Sequence, residues 1–324
     1  MKELRVCLLL SALTLAFGCR QGVSPVPGFG IPKTLERIWS NSLYAFDRDP
    51  DFIAGRDSCA FFGFSRPTPD KPLCLGGLFE EGGMLYVDKG YTDKLRVSDA
   101  MYFHTLGDRI FFFDPANSVM VCEEDFFDKT PALMQAKITW TPVDLSVIVE
   151  NKEQIRGLYV AGSGNYLILT EEEGENAMIL TEGSRGISDR LPLGTSGETT
   201  AVAMRSDGGG IVVLSGDKGS VNAFQFVDGQ IRLCFSLEAG PAAKAVYADA
   251  AHVYVLCHEQ SEEKIRSLIC VYDWTGNPQH LYRLQEESLA IYVERQEILW
   301  TLSSFTVNNH QKVMLARQYN LNAN

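Results

Sequence analysis

The sequence predicts an all-β fold. Short runs of apolar, aromatic and β-branched residues recur along the 324-residue chain, bounded by Gly, Asp, Asn and Pro. Beyond residue 18, no window shows the long apolar stripe of 3.6-residue period that an amphipathic helix requires. The clearest runs are 110–113, 166–169, 211–214, 253–256 and 298–302. Runs that are apolar at every position are typical of strands covered on both faces.

The spacing of these runs predicts a repeated unit. Their first residues lie 42–56 positions apart, and one further step back reaches the aromatic run 61–64. An interval of this length that carries several short strands is typical of a β-propeller blade. Six such runs therefore predict a single six-bladed β-propeller over residues 32–324. Seven blades are the alternative, since the chain also has room for about 44 residues in each of seven.

Two repeats show the same internal pattern. Residues 252–284 contain a strand, a polar loop, a second strand, the turn 273–277 and a third strand. Residues 211–237 repeat this order, and Asp228 with Gly229 supplies a two-residue hairpin turn because both residue types tolerate positive φ. Each repeat is thus predicted to be a small antiparallel sheet.

The N-terminus predicts export and lipid attachment. Lys2 and Arg5 precede the apolar stretch 6–17, which at twelve residues is too short to span a bilayer as a helix. The stretch ends at Cys19 in a sequence that resembles the lipobox of bacterial lipoproteins. We therefore expect residues 1–18 to be a signal peptide and Cys19 to carry the lipid. Residues 19–31, which are rich in Pro and Gly, are predicted to be a tether.

The chain resembles a known family. The Cys19 export signal, the repeats, the strand and turn at 271–278 and the segment 182–191 together resemble the TolB-like six-bladed β-propeller lipoproteins of Bacteroidetes. The resemblance covers most of the chain beyond Cys19. It implies the propeller fold and a place in the bacterial cell envelope. Its motifs are structural, so it assigns no catalytic residue.

The predicted location is the outer membrane, facing the periplasm. Residues 20–22, directly after Cys19, contain no acidic residue and no acidic export cluster. Exposure on the cell surface is the alternative. The membrane is then a partner through the N-terminal lipid. Each CH₂ group that the lipid buries in the membrane contributes about 0.8 kcal/mol to the binding free energy.

Charge and motifs exclude several function classes. The chain has 29 Lys and Arg against 41 Asp and Glu, a net charge of −12 without a basic cluster, which excludes a nucleic-acid partner. It has no Gly-x-Ser-x-Gly elbow, P-loop, dinucleotide fingerprint or His-Glu-x-x-His motif. We therefore predict no cofactor and no metal site, leave the catalytic residues unassigned, and favour a protein without enzymatic activity.

Few side chains qualify as site residues. Cys257 and Cys270 flank a predicted hairpin, and direct cross-strand pairing would bring them within reach of a disulfide. The alternative, two buried small apolar residues, is favoured because ladder geometry strains many such bridges. Trp39 and Trp140 lie near predicted loops or strand ends and are the candidates for exposed binding aromatics.

Three functions remain open at this stage. The favoured one is an envelope lipoprotein that binds a protein or other ligand through its loops, because propeller loops vary without disturbing the blades. The second is a propeller lyase or hydrolase with a metal or paired carboxylates at the channel mouth. The third is a glycan-binding accessory of a polysaccharide-uptake system, with aromatic planes along a groove.

Overall fold

The computed structural model describes most of the predicted domain. The described residues are 26–46, 52–56, 59–63, 75–79, 84–87, 102–106, 109–114, 119–123, 141–144, 155–160, 166–172, 175–181, 187–196, 199–216, 218–228, 230–240, 242–260, 264–307 and 311–322. Side chains are described mainly at 26–40 and from 199 onward. Within these ranges the chain forms strands and turns, and no helix that could cross a membrane is found there.

Twenty-five strands lie within the described ranges. Two come first in the chain, namely β1 (Lys33–Thr34) and β2 (Arg37–Phe46). The first sheet contains β3 (Phe52–Arg56), β4 (Cys59–Gly63), β5 (Leu75–Phe79) and β6 (Met84–Val87). The second contains β7 (Tyr102–Leu106), β8 (Arg109–Asp114), β9 (Val119–Glu123) and β10 (Thr141–Asp144). The third contains β11 (Ile155–Val160), β12 (Tyr166–Glu172), β13 (Glu175–Thr181) and β14 (Ile187–Ser196).

The remaining strands form three further sheets. The fourth sheet contains β15 (Thr199–Met204), β16 (Gly210–Ser215), β17 (Ser220–Val227) and β18 (Gln230–Glu238). The fifth contains β19 (Ala243–Ala248), β20 (His252–Gln260), β21 (Ile265–Asp273) and β22 (Pro278–Leu284). The sixth contains β23 (Ala290–Glu294), β24 (Ile298–Val307) and β25 (Gln311–Asn320).

The sheets are arranged as a β-propeller. Within each sheet, strands that follow one another in the chain pair antiparallel and lie side by side. First strands of several neighbouring sheets contact each other: β7 contacts β11, β15 contacts β19, and β19 contacts β23. Contact between β23 and β3 joins the last sheet to the first. Sequential antiparallel sheets that meet through their first strands are typical of a β-propeller.

A strand near the N-terminal end of the described residues completes the sixth sheet. β2 pairs antiparallel with β25, so the sixth sheet has the order β2-β25-β24-β23. β1 pairs in parallel with the outer strand of the fifth sheet, through Lys33 opposite Tyr282 and Thr34 opposite Arg283. The N-terminal segment therefore lies along the outer edges of two adjacent sheets.

The apolar runs that predicted the repeat are confirmed as strands. Every apolar run used to define the repeat forms the second strand of a sheet, namely β4, β8, β12, β16, β20 and β24. The described residues form six sheets, and the exact blade number stays a prediction. The predicted repeat has three strands, whereas the structure adds a first strand to each sheet. The fifth sheet shows why this strand was missed: in β19, the small residues Ala243, Ala245 and Ala248 make no apolar run.

The cores lie between sheets, as continuous apolar runs require. One cluster joins the fourth and fifth sheets through Val212, Val255 and Cys270, and a second joins the fifth and sixth through Leu256 and Leu299. All five of these side chains are buried. Because successive strand residues point to opposite faces, both faces of β20 are apolar and both are covered.

Candidate functional site: a groove at the edge of the fifth sheet

A surface groove separates the N-terminal segment from the fifth sheet. It encloses about 480 Å³. One wall is the start of β22, the other is the segment before β1, and the end of the sixth sheet closes one side. The lining residues are Gly28, Phe29, Gly30, Ile31, Lys33, Pro278, Gln279, His280, Leu281, Tyr282, Leu321 and Asn322.

Phe29 anchors the outer wall of this groove. Its ring packs edge-on against Tyr272, with the centroids 5.1 Å apart, and Val26 packs against the same core. Gly28 permits the approach because it has a φ of 86°, and an added Cβ would lie 3.2 Å from Pro278 Cγ. Residues 26–30 thus pack against the propeller, although the sequence predicted them to be part of the free tether.

The polar side chains that line the groove include one positive charge and two neutral amides. Of the lining residues that the structure describes, only Lys33 carries a formal charge, in a chain whose net charge is −12. Gln279 and Asn322 add amide groups. Ile31 is 75% exposed at the outer wall, which makes it the most exposed large apolar side chain of the described residues. The groove therefore combines hydrogen-bonding groups, one cation and one exposed apolar side chain.

His280 contributes a neutral ring. It is exposed at the start of β22 and stacks on buried Tyr282, with centroids 5.7 Å apart and planes inclined by 29°. Partial burial, with the charges of His252 and Lys33, lowers the pKa of His280 below its ordinary value. The ring is therefore neutral at pH 7, so one nitrogen donates and the other accepts a hydrogen bond.

A tight turn fixes the strand that forms the inner wall. Oδ1 of Asp273 accepts hydrogen bonds from the backbone N–H groups of Thr275 and Asn277, both at 2.9 Å. Oδ2 accepts from the side-chain amides of Asn277 at 3.1 Å and Gln279 at 2.9 Å. The hydrogen bonds from Thr275 and Asn277 hold the pKa of the Asp273 carboxyl well below its usual range. The turn sets the position of Gln279 at the groove.

Trp274, in the same turn, packs on the neighbouring sheet. Its indole N–H donates to the Asp249 carbonyl at 3.0 Å, and Arg205 lies 5.3 Å from the ring centroid. A Cβ at Gly210 would lie 3.1 Å from the Trp274 ring, so only glycine leaves room for it. Trp274 therefore packs between the turn and the fourth sheet.

A second polar region lies at the opposite end of β22. Residues 285–289 connect the fifth sheet to the sixth, and we call them the connector. His258 Nε2 lies 2.8 Å from the Ser288 carbonyl oxygen, and His258 Nδ1 lies 3.6 Å from Glu287. The Tyr319 hydroxyl donates to Glu286 at 3.2 Å, and burial beside Glu286 raises the pKa of Tyr319.

The connector does not gather a metal site. In the part of the chain that the structure describes, no three His, Cys, Asp or Glu side chains converge as metal ligands. Its polar groups instead bond to the two sheets that it joins: the Ser288 N–H donates to Ser267 Oγ of the fifth sheet at 2.8 Å, and the Tyr319 hydroxyl of the sixth sheet donates to Glu286.

The predicted cysteine register is wrong. Cys257 lies opposite Leu268 and Cys270 opposite Val255, so the two cysteines are diagonal neighbours on one face. The hairpin is offset by two residues from direct pairing. Both thiols are free and buried, which fits the favoured alternative, and their mutual hydrogen bond, with burial, raises the pKa of Cys270. A disulfide between them stays a prediction.

Trp39, one of the two predicted binding aromatics, does not line the groove. It is half-buried, because its ring packs edge-on against fully buried Trp300, with centroids 5.7 Å apart. Its role as a binding aromatic stays a prediction. Trp140 and Cys19 lie outside the described residues. None of Ile31, Lys33 and Gln279 stood out in the sequence, because they lie in segments about 250 residues apart with no local motif.

The fold defines this chain as a β-propeller, and the groove lies at the edge of its fifth sheet. No protein-family model and no curated protein matches the chain. A luciferin-regenerating enzyme has 9% identity and a TM-score of 0.48, covering 84% of this chain and 92% of its own.

Two further solved structures are similar to this chain. The Cps50 (Swd1) β-propeller domain of Myceliophteria thermophila has 10% identity and a TM-score of 0.48, covering 85% of this chain and 99% of its own. The WD40 domain of Toxoplasma gondii coronin has 8% identity and a TM-score of 0.47, covering 90% and 87%. Likenesses this distant say nothing about what the chain binds, and the TolB-like resemblance stays a prediction.

Proposed function

We propose that this protein is a non-enzymatic envelope lipoprotein that binds a partner protein through the groove at the edge of the fifth sheet. One observation carries the proposal: the groove presents Lys33, Gln279, His280 and exposed Ile31 together on one rigid edge. Polar groups fixed around a concave surface with an exposed apolar side chain are typical of a recognition site.

The sheet behind the groove supports this proposal. Both faces of the fifth sheet are covered by neighbouring sheets, and the Asp273 turn fixes the start of β22. A wall of this kind keeps its shape when a ligand enters, so little free energy is lost in ordering the site.

The distance to the proposed lipid also supports a role at the membrane. Gly28, at the groove, follows the proposed lipidation site Cys19 by nine residues. An extended chain spans at most about 3.3–3.6 Å per residue, so the groove lies within about 30 Å of a lipid on Cys19. We therefore expect the partner to be a membrane protein or to lie at the membrane surface, most simply in the bacterial envelope.

Site-specific cross-linking tests the proposal. A photoreactive benzoylphenylalanine replaces Ile31 in the full-length protein, expressed in its native envelope, and cross-linked proteins are identified by mass spectrometry. The matched control carries the same residue at Leu233, which is 52% exposed on β18 of the fourth sheet. We expect a reproducible partner from position 31 and none of it from position 233.

Two variants sharpen this experiment. A Cβ added at Gly30 meets no atom within 4 Å, so Gly30→Tyr places a large side chain beside the groove without a clash at its base. We expect this variant to reduce the cross-link, and Cys19→Ser to abolish it by releasing the protein from the membrane. Equal capture from positions 31 and 233, or capture unchanged by Gly30→Tyr, would contradict the proposal.

A further inference from the structure

The outer edge of β22 is only partly covered. β1 pairs with it at Tyr282 and Arg283, and the N–H of Leu35 donates to the Arg283 carbonyl at 3.0 Å. In an antiparallel ladder the N–H and C=O of one residue point to the same side, and this side alternates along the strand. Leu281, two residues before Arg283, therefore points its backbone groups toward the same outer edge. Among the described residues, no strand pairs with this edge at positions 278–281.

The groove lies directly beside this open edge. The N-terminal segment pairs with β22 only at β1. Gly28 lies close to Pro278, and the groove of about 480 Å³ lies between residues 29–31 and β22. An open edge beside a groove is the geometry in which an extended peptide adds to a sheet by backbone hydrogen bonds.

The charge of the lining indicates which peptide fits. Among the described residues, Lys33 is the only charged one in the lining, and His280 is neutral at pH 7 because its pKa is lowered. No carboxylate of the described part of the chain lines the groove, although acidic residues outnumber basic ones in the whole chain. A strand that carries an acidic side chain therefore finds a cation and no repulsion in the groove.

We propose that the groove binds an extended acidic segment of the partner protein, which adds to β22 as an edge strand beside Leu281 and places a carboxylate near Lys33. This inference rests on the proposed function and names the chemistry of its partner. Backbone pairing supplies most of the affinity, and Lys33 selects an acidic segment.

A synthetic strand tests this inference. The probe is a fluorescein-labelled eight-residue peptide of alternating valine and glutamate, and its Kd for the detergent-solubilised full chain is measured by fluorescence anisotropy. The matched control peptide carries N-methyl groups at every second backbone nitrogen, which removes the donors that an edge strand needs. We expect the methylated peptide to bind at least tenfold more weakly. Hydrogen exchange followed by mass spectrometry should show slower exchange within residues 279–283 only with the unmodified probe.

Variants of the protein test the charge. Lys33→Glu should weaken the valine–glutamate probe about fivefold, because an exposed ion pair contributes up to about 1 kcal/mol. The same variant should bind a valine–lysine probe more tightly than the parent protein does. Lys218→Glu, on the exposed turn before β17, is the matched control and should change neither Kd.

Several outcomes would overturn the inference. Equal affinity for the methylated and unmodified probes would exclude strand addition, and no binding of the probe at millimolar concentration would reject an acidic strand as the ligand. Binding of oligogalacturonate, an acidic glycan, without binding of the peptide would assign the groove to the other ligand class. The cross-link from position 31 is independent of these results: if it persists, the proposed function stands and only the strand mechanism fails.

Discussion

The two ends of β22 use their polar side chains differently. At the Leu284 end, beside the connector, polar groups bond mainly to one another: Arg283 pairs with Glu259, and His258 meets the Ser288 carbonyl. At the Pro278 end, Lys33 and His280 face an open groove. The comparison shows that polar side chains alone do not mark a binding site, because at the connector the polar groups form hydrogen bonds within the protein and hold two sheets together.

The largest expected effect is at the connector. Ser267→Ala removes the acceptor of the Ser288 N–H, and both residues are fully buried. An unsatisfied buried donor costs about 1–3 kcal/mol, so we expect that loss in the free energy of unfolding, measured with urea. Gln279→Ala, at the exposed groove end, should change it by less than about 0.5 kcal/mol. Equal effects of the two variants would remove the distinction between the ends.

An intermediate effect is expected for the ion pair beside the connector. Arg283 donates from Nε and Nη2 to the two carboxylate oxygens of Glu259, at 3.0 and 2.9 Å, and both side chains are about a quarter exposed. A double-mutant cycle with Arg283→Met and Glu259→Gln should give a coupling free energy of about 1 kcal/mol. A coupling of zero would show that this pair does not hold the sheet edge.

The smallest effect concerns pH and the groove turn. The folded chain lowers the pKa of Asp273, so its carboxylate contributes stability that is present above its ordinary pKa of about 3.9 and is lost as the pH falls below that value. Asp273→Asn should therefore show a smaller loss of stability than the parent between pH 5 and pH 2.5, measured by urea unfolding at each pH. If the Asp273 carboxylate were not hydrogen-bonded in the folded state, the free energy of unfolding would fall with pH equally in the variant and the parent.

The sequence predicted the sheets better than the groove. Val213 and Val255 are buried in second strands, whose two faces are both covered. Every position of such a strand is apolar, so the run can be recognised in the sequence without knowing which segment packs against it. First strands such as β19 alternate small and larger residues and give a weaker signal. The fold could therefore be predicted from its most buried strands.

The groove could not be predicted in the same way. Lys33 and Tyr282 are brought together by parallel pairing of β1 with β22, and neither strand carries a motif that names its partner. The cysteine register shows the same limit, since the hairpin at 261–264 allowed a two-residue offset that apolar alternation cannot detect. Contacts between segments far apart in the chain define the site, and a local pattern does not contain them.

The pairing of β2 with β25 has a consequence for how the protein is made. Arg37 lies opposite Tyr319, so β2 gains its sheet neighbour only after a strand about 280 residues further along the chain has been made. Closing so long a loop is slow because its entropy is lost before the contact forms. Each of the first four sheets is built from strands that are consecutive in the chain, whereas the sixth is completed only after β25 has been made. Until then the sixth sheet lacks its outer strand, and a chaperone that shields β2 would protect the nascent chain from aggregation.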